Sequence, residues 1–297
     1  MKKTVITVSI FAALSLSASA QSMSSLFIPV DPVAASVAGS TVSREATAFA
    51  AADNASAMSF SQSKFRGAVS YGMWAPNAAD SKAVNAGAYY RIGSKAAVGF
   101  TGTCLIDREM DITGSTGVVT GSFTPKDIIG RLGFSYLLTD YLSVGASAKL
   151  FHSAIGPELS GTAFGGDISA MYSRNSLNAS LALCNLGTSI NYGGESYSMP
   201  MYARAGAAYS IVGVTVSAEA DYIFEGAFGA ALGAEYNIAD IAFLRAGYHY
   251  GAEGKGLPSF ASVGLGLKYF GIEFNAACLL ASQTLGGTLL FGLGYSF

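Results

Sequence analysis

Apolar and polar residues alternate along most of the chain from about residue 66 to the end. The last segment, residues 286–297, shows the pattern clearly, because every second position from 289 is apolar and the positions between are mostly small. Its apolar face consists of Leu289, Phe291, Leu293, Tyr295 and Phe297. Side chains that repeat with a period of two lie on one face of a β-strand. The alternation therefore predicts strands that each have one apolar face.

The pattern predicts about fourteen such strands, each long enough to cross a bilayer at a tilt. Charges fall almost wholly on the less apolar face, as in the ninth strand, where Val214 and Val216 oppose Glu219 and Asp221. An arginine or lysine facing lipid at the midplane costs roughly 2 to 4 kcal/mol. The predicted fold is all-β, a transmembrane antiparallel β-barrel. In chain order, its strands cover residues 66–75, 81–92, 95–106, 126–138, 141–152, 163–174, 177–187, 200–211, 212–223, 226–238, 241–251, 259–270, 272–282 and 286–297.

The connections between these strands differ in length on the two sides of the predicted barrel. Tight turns follow the even-numbered strands, at Gly93–Ser94, Thr139–Asp140, Asn175–Ser176, Ile211–Gly213, Ala239–Asp240 and Phe270–Gly271. Longer loops follow several odd-numbered strands, at Asp107–Pro125, Ser153–Thr162, Thr188–Met199 and Ala252–Pro258. Short periplasmic turns and longer extracellular loops are typical of outer-membrane barrels. An even strand count leaves both chain ends on the short-turn side.

The first 65 residues lack this alternation. Lys2 and Lys3 precede an apolar stretch and the small residues 17–20, which predicts a signal peptide (residues 1–20) for Sec export. Residues 21–65 are too apolar for a disordered tail, so we expect a plug or hatch in the lumen of a barrel formed by residues 66–297. A periplasmic arm is the alternative for residues 21–65.

Composition narrows the function further. Charged residues make up 12% of the chain, about half the usual fraction of a soluble domain, and no basic cluster survives removal of the signal peptide. We therefore expect lipid as a partner and no nucleic acid. The three cysteines are odd in number, and neither histidine is near one in sequence, so we expect no disulfide framework, metal or cofactor. Known nucleophile, zinc and phosphate-binding motifs were not found, so no catalytic residue is assigned.

The polar face collects a set of charged residues that we expect to line the lumen. They are Arg91, Arg131, Lys149, Asp167, Arg204, Glu219, Asp221, Glu235, Arg245, Lys268 and Glu273. One interpretation is a structural network in which the charges pair across the barrel and hold the plug. The other is a polar constriction that orients a solute or a partner segment. The residue pattern is compatible with both.

The C-terminal strand has a second predicted role. Its outward aromatic residues at the chain end are expected to act as a signal for barrel insertion, carried by Leu293, Tyr295 and Phe297. Tyrosines near many strand ends suit aromatic girdles at the two membrane interfaces.

Several stretches resemble the PorV/PorQ group of outer-membrane proteins from Bacteroidetes, which are similar in architecture to FadL-type fourteen-stranded barrels. The stretches are Ala51–Phe60 (AADNASAMSF), Ala182–Ile211 with its Asn-Leu-Gly and Arg-x-Gly-x-x-Tyr motifs, Gly233–Gly251 with Arg-Ala-Gly-Tyr, and Gly264–Ala277. The resemblance implies a location in the outer membrane of a Gram-negative, Bacteroidetes-like cell. It also implies an accessory or substrate-carrying role in type IX-like protein secretion and surface attachment.

Under the secretion hypothesis, the loops Asp107–Pro125 and Thr188–Met199 are the surfaces expected to bind other secretion or outer-membrane proteins. A structural barrel accessory to another outer-membrane complex fits the same sequence. The alternative from another class is a FadL-like channel in which the apolar hatch moves to admit a hydrophobic compound. A lateral opening in the barrel wall would favour this channel, and glycine-interrupted strands allow one.

Overall fold

The computed structural model describes residues 23–113, 117–251 and 255–297, so the predicted signal peptide lies outside the described residues. Fourteen strands form a closed antiparallel barrel, as the alternation predicts. Two hairpins, β4–β5 and β10–β11, form separate two-stranded sheets that are not part of the barrel wall. The strands are β1 (Phe65–Trp74), β2 (Ser81–Ile92), β3 (Ala96–Ile106), β4 (Met110–Thr113), β5 (Val119–Phe123), β6 (Lys126–Thr139), β7 (Leu142–Gly156), β8 (Leu159–Arg174), β9 (Leu177–Gly187), β10 (Ile190–Tyr192), β11 (Glu195–Tyr197), β12 (Tyr202–Ile211), β13 (Val214–Ile223), β14 (Ala227–Ile238), β15 (Ala242–Tyr250), β16 (Phe260–Tyr269), β17 (Ile272–Leu280) and β18 (Leu289–Ser296).

The barrel closes where the first strand pairs with the last. The β1–β18 ladder runs from Arg66 opposite Ser296 to Met73 opposite Leu289. The Phe297 carbonyl extends it by accepting the backbone N–H groups of Lys64 and Phe65 at 2.7 and 3.0 Å. The Phe65 and Phe297 rings stack beside these bonds, with centroids 5.4 Å apart. Leu293, Tyr295 and Phe297 face outward and are exposed. Their predicted role in insertion stays a prediction.

The two faces of the wall differ sharply in polarity. Outward leucines such as Leu132, Leu181 and Leu232 are 62–65% exposed, whereas the inward Ser135 and Ser143 are fully buried. Most polar side chains therefore lie inside, as a strand that meets lipid requires. No helix in the described part of the chain is long and apolar enough to cross a membrane.

The two ends of the barrel differ in the length of the connections between strands. The short-turn end holds the tight turns at residues 93–95, 140–141, 175–176, 212–213, 239–241 and 270–271, and the long-loop end holds the others. One predicted loop is wrong. Residues 153–162 continue the wall, because β7 extends to Gly156 and β8 begins at Leu159. This part of the hairpin has few apolar residues, so the alternation that marks a membrane strand is absent, while backbone pairing continues.

The N-terminal segment, residues 23–64, lies inside the barrel and is mostly buried. It contains short 3-10 helices at Ser24–Phe27 and Ala55–Phe60 and two short α-helices, α1 (Pro32–Ser36) and α2 (Ala50–Asp53). Asp31 caps α1 by accepting the Val33 N–H at 2.9 Å. α1 packs on β15–β18, and the second 3-10 helix packs on β6–β8.

Inward glycines give the N-terminal segment room against the wall. A Cβ at Gly145 would lie 2.3 Å from the Ser56 nitrogen, and one at Gly247 would lie 2.4 Å from the Val37 carbonyl carbon. Backbone atoms cannot come this close to a side chain, so only glycine allows the observed contact. These positions fix the segment on two sides of the lumen.

Candidate functional site

Most of the charged residues predicted to line the lumen do face inward, and several bind the N-terminal segment. Arg204 on β12 lies 2.5 Å from Glu219 on β13 and 2.9 Å from Asp53 of α2, and its Nε lies 3.5 Å from Asp221. Glu219 also accepts the backbone N–H groups of Thr41 and Val42, each at 2.8 Å. This cluster therefore anchors the N-terminal segment to β12 and β13.

A second group of ion pairs lies towards the short-turn end. Glu235 pairs with Arg245 on the neighbouring strand at 2.5 Å and with Arg44 of the N-terminal segment at 3.0 Å. Glu273 pairs with Lys268 at 3.2 Å and with Arg66 at 3.3 Å. Here also one carboxylate bridges two cations. Arg91 lies at the same end and donates to the Ser61 carbonyl at 2.6 Å.

Lys149 and Asp167 form a third cluster, at an irregularity in the wall. The β8–β9 ladder shifts register between Gly166 and Ile168. Asp167 lies at this shift, where it pairs with Lys149 at 3.0 Å and accepts the Asn185 backbone N–H at 2.7 Å. The bulge thus turns a carboxylate towards a buried lysine.

Arg131, unlike most of the inward charges, has no ion pair in the described residues. Its side chain is 4% exposed, and its Nε and Nη1 atoms have no hydrogen-bond partner in the described residues. A charge that is buried without a partner is costly. Arg131 therefore differs from Arg204 and Arg245, whose carboxylate partners lie on the strand beside them.

The sequence did not reveal the partners that the N-terminal segment contributes. Arg44 and Asp53 complete two of the ion-pair clusters, and both come from a stretch without strand periodicity. Their sequence separation from Glu235 and Arg204 gives no signal of contact. Burial lowers the pKa of Arg44, although the charge of Glu235 opposes that effect.

An apolar cavity of about 140 Å³ lies in the lumen towards the long-loop end. Its apolar lining includes Ile28, Val30, Ile223 and Phe260, and Arg131 also lines it. An engineered protein cavity of about 150 Å³ with an apolar lining binds benzene. The volume and lining therefore suit a compact hydrophobic ligand.

A second cavity of about 300 Å³, the polar chamber, lies towards the short-turn end. Its lining includes the charged side chains of Arg44, Glu235, Arg245, Lys268 and Glu273. Two residues of the N-terminal segment line both this chamber and the apolar cavity, and we call them the partition. They are Asp31 and Phe49.

The partition is firmly packed. Phe49 is 2% exposed, and a Cβ on Gly87 of β2 would lie 2.7 Å from its ring. Asp31 is 6% exposed, and burial raises the pKa of its carboxyl group. The partition thus has one polar residue, Asp31, and one apolar residue, Phe49.

The apolar cavity reaches the wall near the end of the β14–β15 ladder. The β14–β15 ladder ends at Ala230 opposite Tyr250, the last residue of β15, so within the described residues Ala227–Gly229 lie beyond this ladder. Gly229 and Phe228 lie beyond that last pair and line the cavity. Phe228 points outward and is 50% exposed. The cavity thus extends to a side chain on the outer face of the barrel.

The histidine and cysteine side chains have surroundings that indicate a structural role. The ring of His249 stacks on Phe260 with centroids 5.2 Å apart. The three cysteines are free. In the described ranges, no group of three or more His, Cys, Asp or Glu residues is placed to hold a metal ion.

Comparison with known proteins gives matches to solved structures only. The Ralstonia pickettii toluene transporter TbuX matches with a TM-score of 0.66 and 14% identity over 90% of this chain and 98% of that one. The CymD monoaromatic hydrocarbon channel matches with a TM-score of 0.65 and 14% identity, over 91% and 98%. A Pseudomonas aeruginosa FadL homologue matches with a TM-score of 0.59 and 14% identity, over 91% and 96%.

No protein-family model matches the chain, and no curated protein matches it. At 14% identity the structural matches establish a shared fold, the FadL-type fourteen-stranded barrel. The proteins they describe are transporters and channels, not enzymes. None of these comparisons supports the resemblance to the PorV/PorQ group or a role in secretion.

Proposed function

We propose that this protein is an outer-membrane channel for small hydrophobic compounds. The observation that carries the proposal is the apolar cavity, which extends from the lumen past the end of the β14–β15 ladder to Phe228. A hydrophobic solute needs an apolar path that avoids the charged lumen. An apolar solute that displaces water from a charged side chain gives that charge no new partner, which is costly. Most of the lining surface of the cavity is apolar, so the cavity supplies such a path although charged residues also line it.

The direction of passage follows from the position of the cavity. A compound enters from the long-loop end and leaves through the wall beside Gly229 into the apolar core of the membrane. The polar chamber beyond Phe49 is not part of this route. Its lining is charged, so an apolar solute gains no apolar contact there. The N-terminal segment thus acts as the floor of the apolar cavity.

The solved structures with this fold support the same class of solute. TbuX is described as a toluene transporter and CymD as a monoaromatic hydrocarbon channel. The secretion hypothesis rests on sequence resemblance alone, and no contact or cavity in the described residues favours it over transport.

Substitution of Gly229 tests the route. A Cβ there would lie 3.5 Å from the Tyr250 carbonyl oxygen and 3.6 Å from His249, which are ordinary contacts, so a larger side chain can fill the opening without moving the backbone. We expect Gly229→Phe to lower toluene uptake by cells several-fold relative to wild type. Gly130→Phe is the matched control, since Gly130 has no neighbour within 4 Å of its Cβ position.

Equal uptake by wild type, Gly229→Phe and cells without the protein would refute the channel. Recovery of a secretion or outer-membrane protein by co-purification from native membranes, together with absent uptake, would favour the secretion hypothesis instead.

A further inference from the structure

Arg131 gives the apolar cavity a feature that a neutral hydrocarbon does not require. The β6 strand points its side chain inward, and two of its guanidinium nitrogens lack a hydrogen-bond partner in the described residues. A guanidinium carries five N–H donors and stays charged in proteins. A ligand carboxylate beside this guanidinium would therefore offset the cost of burying its charge.

The carboxylate that acts most strongly on Arg131 does not neutralise it. That carboxylate is Asp167. It is already bound by Lys149 at 3.0 Å, by the Asn185 N–H at 2.7 Å and by the Ser147 hydroxyl at 2.8 Å. Two cations therefore share one carboxylate, and this side of the cavity keeps one positive charge.

Three of the four acidic residues that line the cavity gather around another arginine, and the fourth, Asp31, lies in the partition. Glu219, Asp53 and Asp221 all pair with Arg204, and no ion pair joins any of them to Arg131. An anion is therefore favoured beside Arg131 and disfavoured beside Arg204. This asymmetry fixes how a ligand with one charged group would lie.

Aromatic rings are available near Arg131 for the apolar part of such a ligand. The Phe27 and Tyr202 rings both line the cavity and pack together with centroids 5.3 Å apart. Tyr202 lies near Arg131. The cavity volume of about 140 Å³ leaves room for roughly one benzene-sized ring.

We propose that the cavity binds a compact aromatic monoanion, such as benzoate, with its carboxylate on Arg131 and its ring beside Phe27 and Tyr202. The inference rests on the proposed channel function and narrows its solute from hydrophobic compounds in general to aromatic acids. A long alkyl chain exceeds the cavity, and a neutral ring leaves the Arg131 donors unpartnered.

The test is the binding of benzoate and of toluene to the purified full-length barrel at neutral pH, measured by titration calorimetry or ligand-detected NMR. Charged hydrogen bonds contribute enough that Arg131→Met should weaken benzoate binding by about tenfold or more. Toluene should still bind to Arg131→Met, because its ring needs no charged partner, and this binding shows that the variant is folded. Arg91→Met removes an inward arginine that does not line the cavity and should leave both affinities unchanged.

Two results would overturn the inference. One is toluene binding by the wild type without benzoate binding, which leaves the proposed channel intact and removes only the aromatic acid. The other is equal benzoate affinity in wild type and Arg131→Met. Absence of binding by both compounds would count against the channel as well. If Arg131→Met does not fold, the wild-type comparison of benzoate with toluene still decides, and Arg131→Gln provides a second neutral variant.

Discussion

The two cavities in this barrel lie on opposite sides of Asp31 and Phe49, yet they have opposite chemistry. The apolar cavity, lined by residues such as Ile223 and Phe260, holds its charges in buried clusters at its edge. The polar chamber is lined by the pairs of Glu235 and by a pair that is more open to solvent, Lys268 with Glu273. The same wall alternation produces both. The difference comes from which residues of the N-terminal segment cover the wall.

That difference shows what the inward charges do in each place. Around the apolar cavity, Glu219 binds both Arg204 and the backbone of the N-terminal segment, so the charges hold a structural element. In the polar chamber, Lys268 binds only a neighbouring strand residue, and its side chain is 33% exposed. Ion pairs of the first kind should matter far more for stability than those of the second.

The largest expected effect is the loss of Arg204. Arg204→Met leaves Glu219 buried without its cation, and breaking a buried pair in this way costs about 3 to 5 kcal/mol. The N-terminal segment around Thr41 should detach from the wall. Hydrogen exchange of peptides that cover residues 39–54 measures this, and unchanged protection there would contradict the anchoring role.

A somewhat smaller effect is expected from Phe49→Ala, which removes the apolar side of the partition. Truncation of a buried phenylalanine costs about 3 kcal/mol or more. The apolar cavity and the polar chamber should become continuous, so the conductance for small ions across a planar bilayer should rise. Phe243→Ala is the control, because Phe243 lines only the polar chamber. Equal conductance in the two variants would show that Phe49 does not separate the cavities.

Gly247→Val tests the contact between the wall and the N-terminal segment by adding a side chain to the wall. The new side chain would press on the backbone at Val37, and overpacking of this kind costs typically about 1 to 3 kcal/mol. Because Ala38 lines the apolar cavity, toluene binding should weaken. Gly130→Val, in open space on the outer face, should bind toluene as the wild type does. Identical affinities in both variants would mean that this contact does not shape the cavity.

The smallest effect is expected in the polar chamber. Lys268→Met removes a half-exposed cation from Glu273, which keeps Arg66 at 3.3 Å as a partner. Exposed or half-exposed pairs contribute about 0 to 1 kcal/mol. The midpoint of unfolding in denaturant should therefore change little. A loss as large as that of Arg204→Met would remove the distinction between the two regions.

The alternation was sufficient to predict the barrel, its strand number and the inward face on which most of the wall's charged residues lie. It failed at residues 153–162, where backbone pairing continues without apolar periodicity. It also could not show which charges pair, because Asp53 and Arg44 come from a segment with no period that could place them. Arg131 has the same sequence signature as Arg204, and only the three-dimensional arrangement separates the unpaired charge from the paired one.

The cavities themselves had no sequence signal. The apolar cavity depends on the early end of the β14–β15 ladder and on the path of residues 26–31, and neither follows from alternation. The glycines that admit the N-terminal segment, such as Gly145 and Gly247, have the same small-residue pattern as any inward barrel position. Their role becomes visible only through the backbone atoms that a Cβ would meet.

The most direct test of the central claim is a crystal structure of the protein soaked with iodobenzene, with the iodine located by its anomalous scattering. We expect an iodine site inside the apolar cavity, between Ile223 and Phe260 and on the Arg131 side of Phe49. An iodine site only in the polar chamber, or only on the lipid-facing surface, would contradict it.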